Sequence, residues 1–247
     1  WPDFKRFCRA RRSALIETLA NTTVQTTFAD RCATILAPIA WVADAIGEPL
    51  HLVEIGCSAG VLLTFDRYAY AYEGHRRFGP ADAPLTFTAT ITGDPPLRIP
   101  RIASRTGLDL RPLDARKPDE RRWLIAQIFP EFRLQHEQLA VALDVVAETD
   151  IAMVTGDALA TLPRVLAEAN DPLCIFHSVC LSYWTGEARA GLDRLLASAS
   201  AGGRTIYRVG SEPSARFSAW NKGHDRSQGE KPPPSGEITI TRYAGGE

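Results

Sequence analysis

From residue 151 onward, short apolar runs and longer segments with helical spacing take turns without interruption: IAMVTGDA, ALATLPRVLAEA, LCIFHSV, TGEARAGLDRLLASA and GRTIYRVG. Parallel strands need crossover connections, and right-handed crossovers lay helices against the sheet. The alternation therefore restricts the chain to an α/β fold, a Rossmann-like, mostly parallel, doubly wound sheet whose ligands bind beyond the carboxyl ends of the strands. The same unit occurs upstream. After the Gly47-Glu48-Pro49 breaker, His51 to Ile55 reads as a buried strand and Ser58 to about Tyr72 as a helix. Ile102 to Leu110 is a second strand, and Asp119 to about Glu148 a helix broken near Pro130.

Three stretches fall outside that rhythm. Residues 1–48 carry apolar positions at helical spacing (Phe4, Phe7, Cys8, Leu15, Leu19, then Phe28, Cys32, Ile35, Leu36, Ile39) and read as a helical segment covering a domain at 49–247. LTFTATITGDPPLRI, residues 85–99, alternates around Gly-Asp-Pro-Pro and predicts an inserted β-hairpin. Residues 211–236, rich in Ser, Gly, Pro and charge, predict a mobile loop before EITITRY, an antiparallel edge strand.

Composition excludes several classes. A net charge near −1 with 23% charged residues gives no general nucleic-acid binder, and the Lys5-Arg6, Arg9, Arg11 and Arg12 run reads as a solvated helix face. Five cysteines without a C-x-x-C pair favour free thiols over disulfides or a metal site. No run approaches eighteen apolar residues and no signal-peptide pattern opens the chain, so a cytoplasmic protein without membrane contact is expected. A first residue of Trp1 rather than Met leads to the expectation of a longer chain.

The turn after the first strand admits two chemistries. GCSAG fits G-x-S-x-G, which presents a nucleophilic serine, here Ser58; EIGCSAG also fits an E-x-G-x-x-x-G turn opening a nucleotide-binding helix. For the hydrolase, Asp157 with His177 or Asp193 with His224 stand in the right order, but helices rather than strands precede the turn and no glycine-rich oxyanion loop is visible. Glu54 favours the binding turn. A carboxylate on the last turn of a buried strand is costly unless it meets a cation or several donors, as a ligand with an amino group would provide. Gly56 and Gly60 let backbone approach a ligand, and amides near Ser58 suit its carboxylate. Downstream, Asp109 closes the second strand, Asp157-Ala158 the third and His177 the fourth. Asp109 suits a ribose diol and Asp157 an adenine amino group, although Asp157 is equally placed to cap the following helix.

EIGCSAGVLLTFDRYAYAY, RTGLDLRPLDARKPDERRWLIAQIFPEFR, VTGDA and FHSVCLSYW together resemble the bacterial domain-of-unknown-function 2332 family, whose members resemble class I S-adenosylmethionine-dependent methyltransferases in fold. TTVQTTFADRC resembles the family's helix before the first strand, with Thr27-Phe28 in place of an Asn-Glu pair. The resemblance covers Phe4 to about Val209, and it implies further chain beyond both ends. It also implies S-adenosylmethionine as cofactor, with S-adenosylhomocysteine as product, held by Glu54, Gly56, Ser58, Gly60, Asp109, Asp157 and Ala158. The chemistry would be methyl transfer to an unknown acceptor, a small molecule by default, with His177 as proton acceptor and no metal. Asp66 and Tyr68 are candidate substrate contacts, as is Tyr183 beside Trp184, for which core packing is the competing role. Two rival functions are a Ser58 hydrolase and a non-catalytic protein that binds an adenosyl ligand.

Overall fold

The first strand shows how the sequence becomes a two-faced sheet. In β1 (Leu50–Ile55), Leu50 and Leu52 pack into one hydrophobic cluster and Val53 and Ile55 into another, the period of two that a strand imposes. Around it a computed structural model, which describes residues 1–22, 24–215 and 235–245, places a six-stranded sheet. The order is β5 (Ala152–Thr155), β4 (Ile102–Asp109), β1, β6 (Leu173–Ser178), β7 (Ile206–Pro213) and β8 (Gly236–Tyr243). All pairings are parallel except that of β7 with β8, which is antiparallel as the alternation of EITITRY predicts. Steps outward from β1 in both directions create a switch point between β1 and β6, where such sheets take their ligands.

One face is covered by α3 (Arg31–Ile46), α4 (Pro118–Ala126), α5 (Arg133–Ala147) and a short 3-10 helix at Val61–Arg67. The other is covered by α6 (Ala158–Glu168) and α7 (Gly186–Ser200). α3 is part of the core, with Cys32, Ile35, Leu36, Ile39 and Val42 fully buried. α1 (Pro2–Ala10) and α2 (Arg12–Asn21) bury no residue. The N-terminal helices thus divide into two surface helices and one structural helix, and the expected cover over residues 1–48 is only partly a cover.

Two local expectations are corrected. The helix expected from Ser58 to Tyr72 is a 3-10 turn ending at Arg67, and Ala69–Tyr72 forms β2. The left-handed Gly60 (φ 84°) delays helix entry, and aromatic residues at Tyr68, Tyr70 and Tyr72 prefer the pleated, half-buried setting of a strand. The hairpin expected over 85–99 is absent: β3 (Thr86–Ala89) pairs in parallel with β2 in a separate two-stranded sheet. Pro95, Pro96 and Pro100 deprive the expected return arm of donors, whereas Phe87 packs edge-on against Tyr68 at 5.2 Å. Most of the loop expected over 211–236 lies outside the described residues, but 211–213 belong to β7 and Gly236 opens β8.

Candidate functional site

At the carboxyl ends of β1, β4, β5 and β6 lies a cavity of about 550 Å³, within the range of small-molecule sites. Asp109, last residue of β4, organises it. Its carboxylate accepts from the amide of Ser58 at 2.8 Å, from the amide of Arg111 at 2.8 Å and from Gln25 Nε2 at 3.1 Å. The first of these bonds ties the turn after β1 to the tip of β4, and it holds Ser58 in a left-handed conformation (φ 53°) that non-glycine residues seldom adopt. Val179, also on the cavity wall, has φ 52°, a rarer state still for a β-branched residue. Strained backbone at two strand exits that face one cavity is the pattern of a functional site.

Strand period decides which groups share a side. Glu54 continues the face of Leu50 and Leu52, toward the start of α3; Asp109 and Ser178 fall on that same face of their strands. There the first residue of α3, Arg31, reaches the cavity. Its guanidinium donates to the Ser178 carbonyl at 3.1 Å and to the Thr26 carbonyl at 3.1 Å. A cation in the first turn opposes the helix dipole, so the local helix gives no reason for an arginine here. Glu54 is 2% exposed; burial pushes its carboxyl well above the ordinary range, the charge of Arg31 partly offsets this, and Asp109 adds to it. Burial likewise lowers Arg31, against the pull of Glu54. Arg31 Nε, Glu54 Oε2 and Ser58 Oγ are buried without a hydrogen-bond partner among the described residues. Arg31 and Ser58 line the cavity, whereas Glu54 stands off its wall; unpaired buried polar atoms of this kind are costly unless a ligand satisfies them.

The remaining walls come from Asp157 and Ala158 at the start of α6, from Val24 and Phe28 ahead of α3, and from Leu110, Tyr183 and Trp184. Asp157 is the N-cap of α6 and accepts the Ala160 amide at 3.0 Å, the structural role weighed for it, while also lining the cavity. Gly56 (φ 77°) turns the chain where a Cβ would stand 2.5 Å from Cys180 Sγ, so its glycine is required by the packing of the β6 exit loop against β1. Gly60 faces β5, where a Cβ would meet Met153 Cε at 2.9 Å, and is not a cavity residue.

Three other candidates stand elsewhere. His177 pairs in register with Ile55 and so points to the face opposite Glu54. It is 3% exposed, lies off the cavity wall and is held through Nδ1 by Glu212 Oε1 at 2.7 Å, which corrects its expected place beside a reacting group. Asp66 meets Arg105 Nη2 at 2.5 Å and Tyr68 is fully buried with its hydroxyl on Thr64 Oγ1 at 2.7 Å; the structure brings neither to the cavity. Of the substrate candidates only Tyr183, 84% exposed, stands at the mouth. The elbow reading of Ser58 finds its strained φ but no base among the described residues: Ser58 Oγ has no hydrogen-bond partner there and His177 is engaged with Glu212, while His224, the other histidine weighed for this role, lies outside the described residues.

The family model described as "Uncharacterized protein conserved in bacteria (DUF2332)" matches residues 1–247. The chain belongs to this family. No curated protein matches it. Among solved structures it is similar to a crystal structure from Listeria monocytogenes described as a "putative class I S-adenosylmethionine-dependent methyltransferase", at 11% identity and a TM-score of 0.35, over 96% of this chain and 67% of that chain.

In this DUF2332 member, sequence reasoning missed Arg31, Gln25 and Glu212. Arg31 carried a signal, a lone cation ahead of the apolar run Cys32, Ile35, Leu36 and Ile39. Glu212 fell in the stretch expected to be mobile; instead it accepts from His177 and from the amides of Cys180, Leu181 and Ser182 at 3.0 to 3.1 Å, fixing the loop that forms one wall. Among the described residues no group of three or more His, Cys, Asp or Glu side chains could hold a metal ion, all five cysteines are free, and no helix is long and apolar enough to cross a membrane.

Proposed function

We propose that the protein binds S-adenosylmethionine in the cavity at the strand tips and transfers its methyl group to an acceptor, for which a small molecule is the default. The observation that carries this reading is a set of unpaired buried atoms: Arg31 Nε and Ser58 Oγ, of residues that line the cavity, and Glu54 Oε2, off the cavity wall on the same face of the sheet as Asp109. A zwitterionic amino-acid head matches that set: Arg31 is suited to its carboxylate, and an ammonium would draw the Glu54 carboxyl, raised by burial, back toward its charged form. A carboxylate at the tip of β4, Asp109, is suited to a ribose diol. The first amides of α6, including that of Ala158, lack partners within the helix and stand beside Asp157, where a purine edge offers both donors and acceptors. An acidic set of strand tips without a phosphate-binding G-x-G-x-x-G turn fits a cofactor that carries no phosphate.

When bound, S-adenosylmethionine supplies an electrophilic methyl group on a sulfonium. The chain's own contribution is alignment and exclusion of water: Arg31, with Glu54 acting from off the cavity wall, fixes one end of the ligand, Asp109 its middle, and Val24, Phe28, Leu110 and Trp184 give apolar walls. Tyr183 at the mouth is the side chain best placed to meet an acceptor. Isothermal titration with S-adenosylmethionine and S-adenosylhomocysteine tests the reading. Saturable one-to-one binding of both, weakened in Arg31→Met and Glu54→Gln, is expected; no heat with either ligand would overturn it.

A further inference from the structure

The Asp109 carboxylate is nearly full before any ligand arrives. A carboxylate offers about four lone-pair positions. Three are taken, two by the backbone amides of Ser58 and Arg111 and one by the Gln25 side chain, whose Nε2 also donates to the Arg111 carbonyl at 3.0 Å. A vicinal diol brings two O–H donors to a group with one position left. One protein donor has to yield. The amides of Ser58 and Arg111 belong to the turns after β1 and β4 and cannot leave without unmaking them; the Gln25 carboxamide can turn about its own side-chain bonds.

Space for that turn lies next to it. A second cavity of about 250 Å³ shares Gln25 and Arg111 with the first and is completed by Thr22, Leu113, Asp119, Glu120 and Trp123. Asp119 and Glu120 offer carboxylate acceptors to a displaced Nε2. The Gln25 backbone does not have to move, because its amide is anchored on the Gln127 side chain.

Resting on the adenosyl-ligand reading above, we propose that Gln25 is a two-position latch that lowers the site's preference for a ribose diol over a deoxyribose: it closes on Asp109 in the free protein and swings into the neighbouring cavity when two vicinal hydroxyls displace it. A ligand with a single hydroxyl fits the open lone-pair position and leaves the latch closed. The latch thus costs a diol ligand one hydrogen bond and costs a deoxy ligand nothing.

Titration of S-adenosylhomocysteine, adenosine and 2′-deoxyadenosine into the wild type, Gln25→Ala and Gln25→Met tests this. Met keeps the length of the side chain without its amide, so it reports on the latch even where Ala loosens the segment. The expected result is tighter binding of S-adenosylhomocysteine and adenosine to both variants, by about fivefold as befits one hydrogen bond, with 2′-deoxyadenosine unchanged. Unchanged or weaker binding of the diol ligands by variants of a wild type that does bind them overturns the latch and leaves the cofactor reading standing. Equal gains for diol and deoxy ligands also overturn it, since these report a generally looser site. No binding of any of the three to any protein overturns both.

Discussion

Ser58 and Asp109 are joined by a 2.8 Å bond from the amide of one to the carboxylate of the other, and this bond turns two separate strand exits into a single rigid edge. Removal of the Asp109 side chain strips the acceptor from the Ser58 and Arg111 backbone amides and from the Gln25 side-chain amide at once. Asp109→Ala is therefore expected to lose about 2–3 kcal/mol of unfolding free energy, read by urea titration, and to lose measurable binding of adenosyl ligands. Asp109→Asn keeps an acceptor oxygen and is expected to fall between the two.

Arg31 reaches the cavity from the start of α3, and its loss acts twice. The Ser178 and Thr26 carbonyls lose their donor, and Glu54 loses the cation that offsets its burial. Arg31→Met should weaken S-adenosylhomocysteine by roughly ten- to hundredfold, the range for a hydrogen bond to a charged group. Arg31→Lys should recover little of it, because an ammonium lacks the planar fork that reaches both carbonyls and a ligand. Calorimetric dissociation constants of the three proteins decide this.

A buried carboxyl, Glu54, and a half-buried one, Glu212, give opposite pH signatures. The Glu54 carboxyl is raised by burial, so between the ordinary carboxylate range and its raised value the folded state binds more protons than the unfolded state, and stability falls as pH rises through that window. Glu54→Gln removes the fall and is expected to be the more stable protein above the window. Burial pushes the Glu212 carboxyl up too, but its bonds to His177 and to the Cys180 and Leu181 amides outweigh this and leave it below its ordinary value. Glu212 thus contributes stability at neutral pH that disappears as pH falls through its folded value. Glu212→Gln should flatten the acid limb of a stability profile measured by denaturant titration from pH 3 to pH 8 or so, whereas Glu54→Gln should flatten the opposite slope.

Ser58 has the backbone strain of an elbow nucleophile, and among the described residues no base is hydrogen-bonded to its hydroxyl. Ser58 should resist a fluorophosphonate probe under conditions that label a serine hydrolase to completion, as intact-mass measurement would show. Stoichiometric label on Ser58 would restore the hydrolase.

The sheet was legible because its strands are short apolar runs separated by helices with clear spacing, and β1, β4, β6 and β7 fall where those runs lie. β2 and β3 were not, since parallel pairing of Ala69–Tyr72 with Thr86–Ala89 depends on aromatic contacts between residues far apart in the chain. The site shows the same division. Asp109, Asp157, Ala158 and Ser58 follow from their position at strand ends, and all line the cavity. His177 also ends a strand, but one residue of register turns it to the opposite face, and single-strand reasoning without a neighbour in register does not fix that face. Gln25 comes from a segment with no strand or helix of its own over residues 24–28, and Arg31 is the first residue of α3 just beyond it, so only the folded chain reveals what they touch.

A crystal structure of the protein with S-adenosylhomocysteine tests the central claim most directly. The amino-acid head of the ligand is expected between Arg31 and Glu54, the ribose on Asp109 and the adenine beside Asp157 and Ala158. A ligand bound away from these strand tips, with Arg31 Nε and Glu54 Oε2 still unpaired, would contradict it.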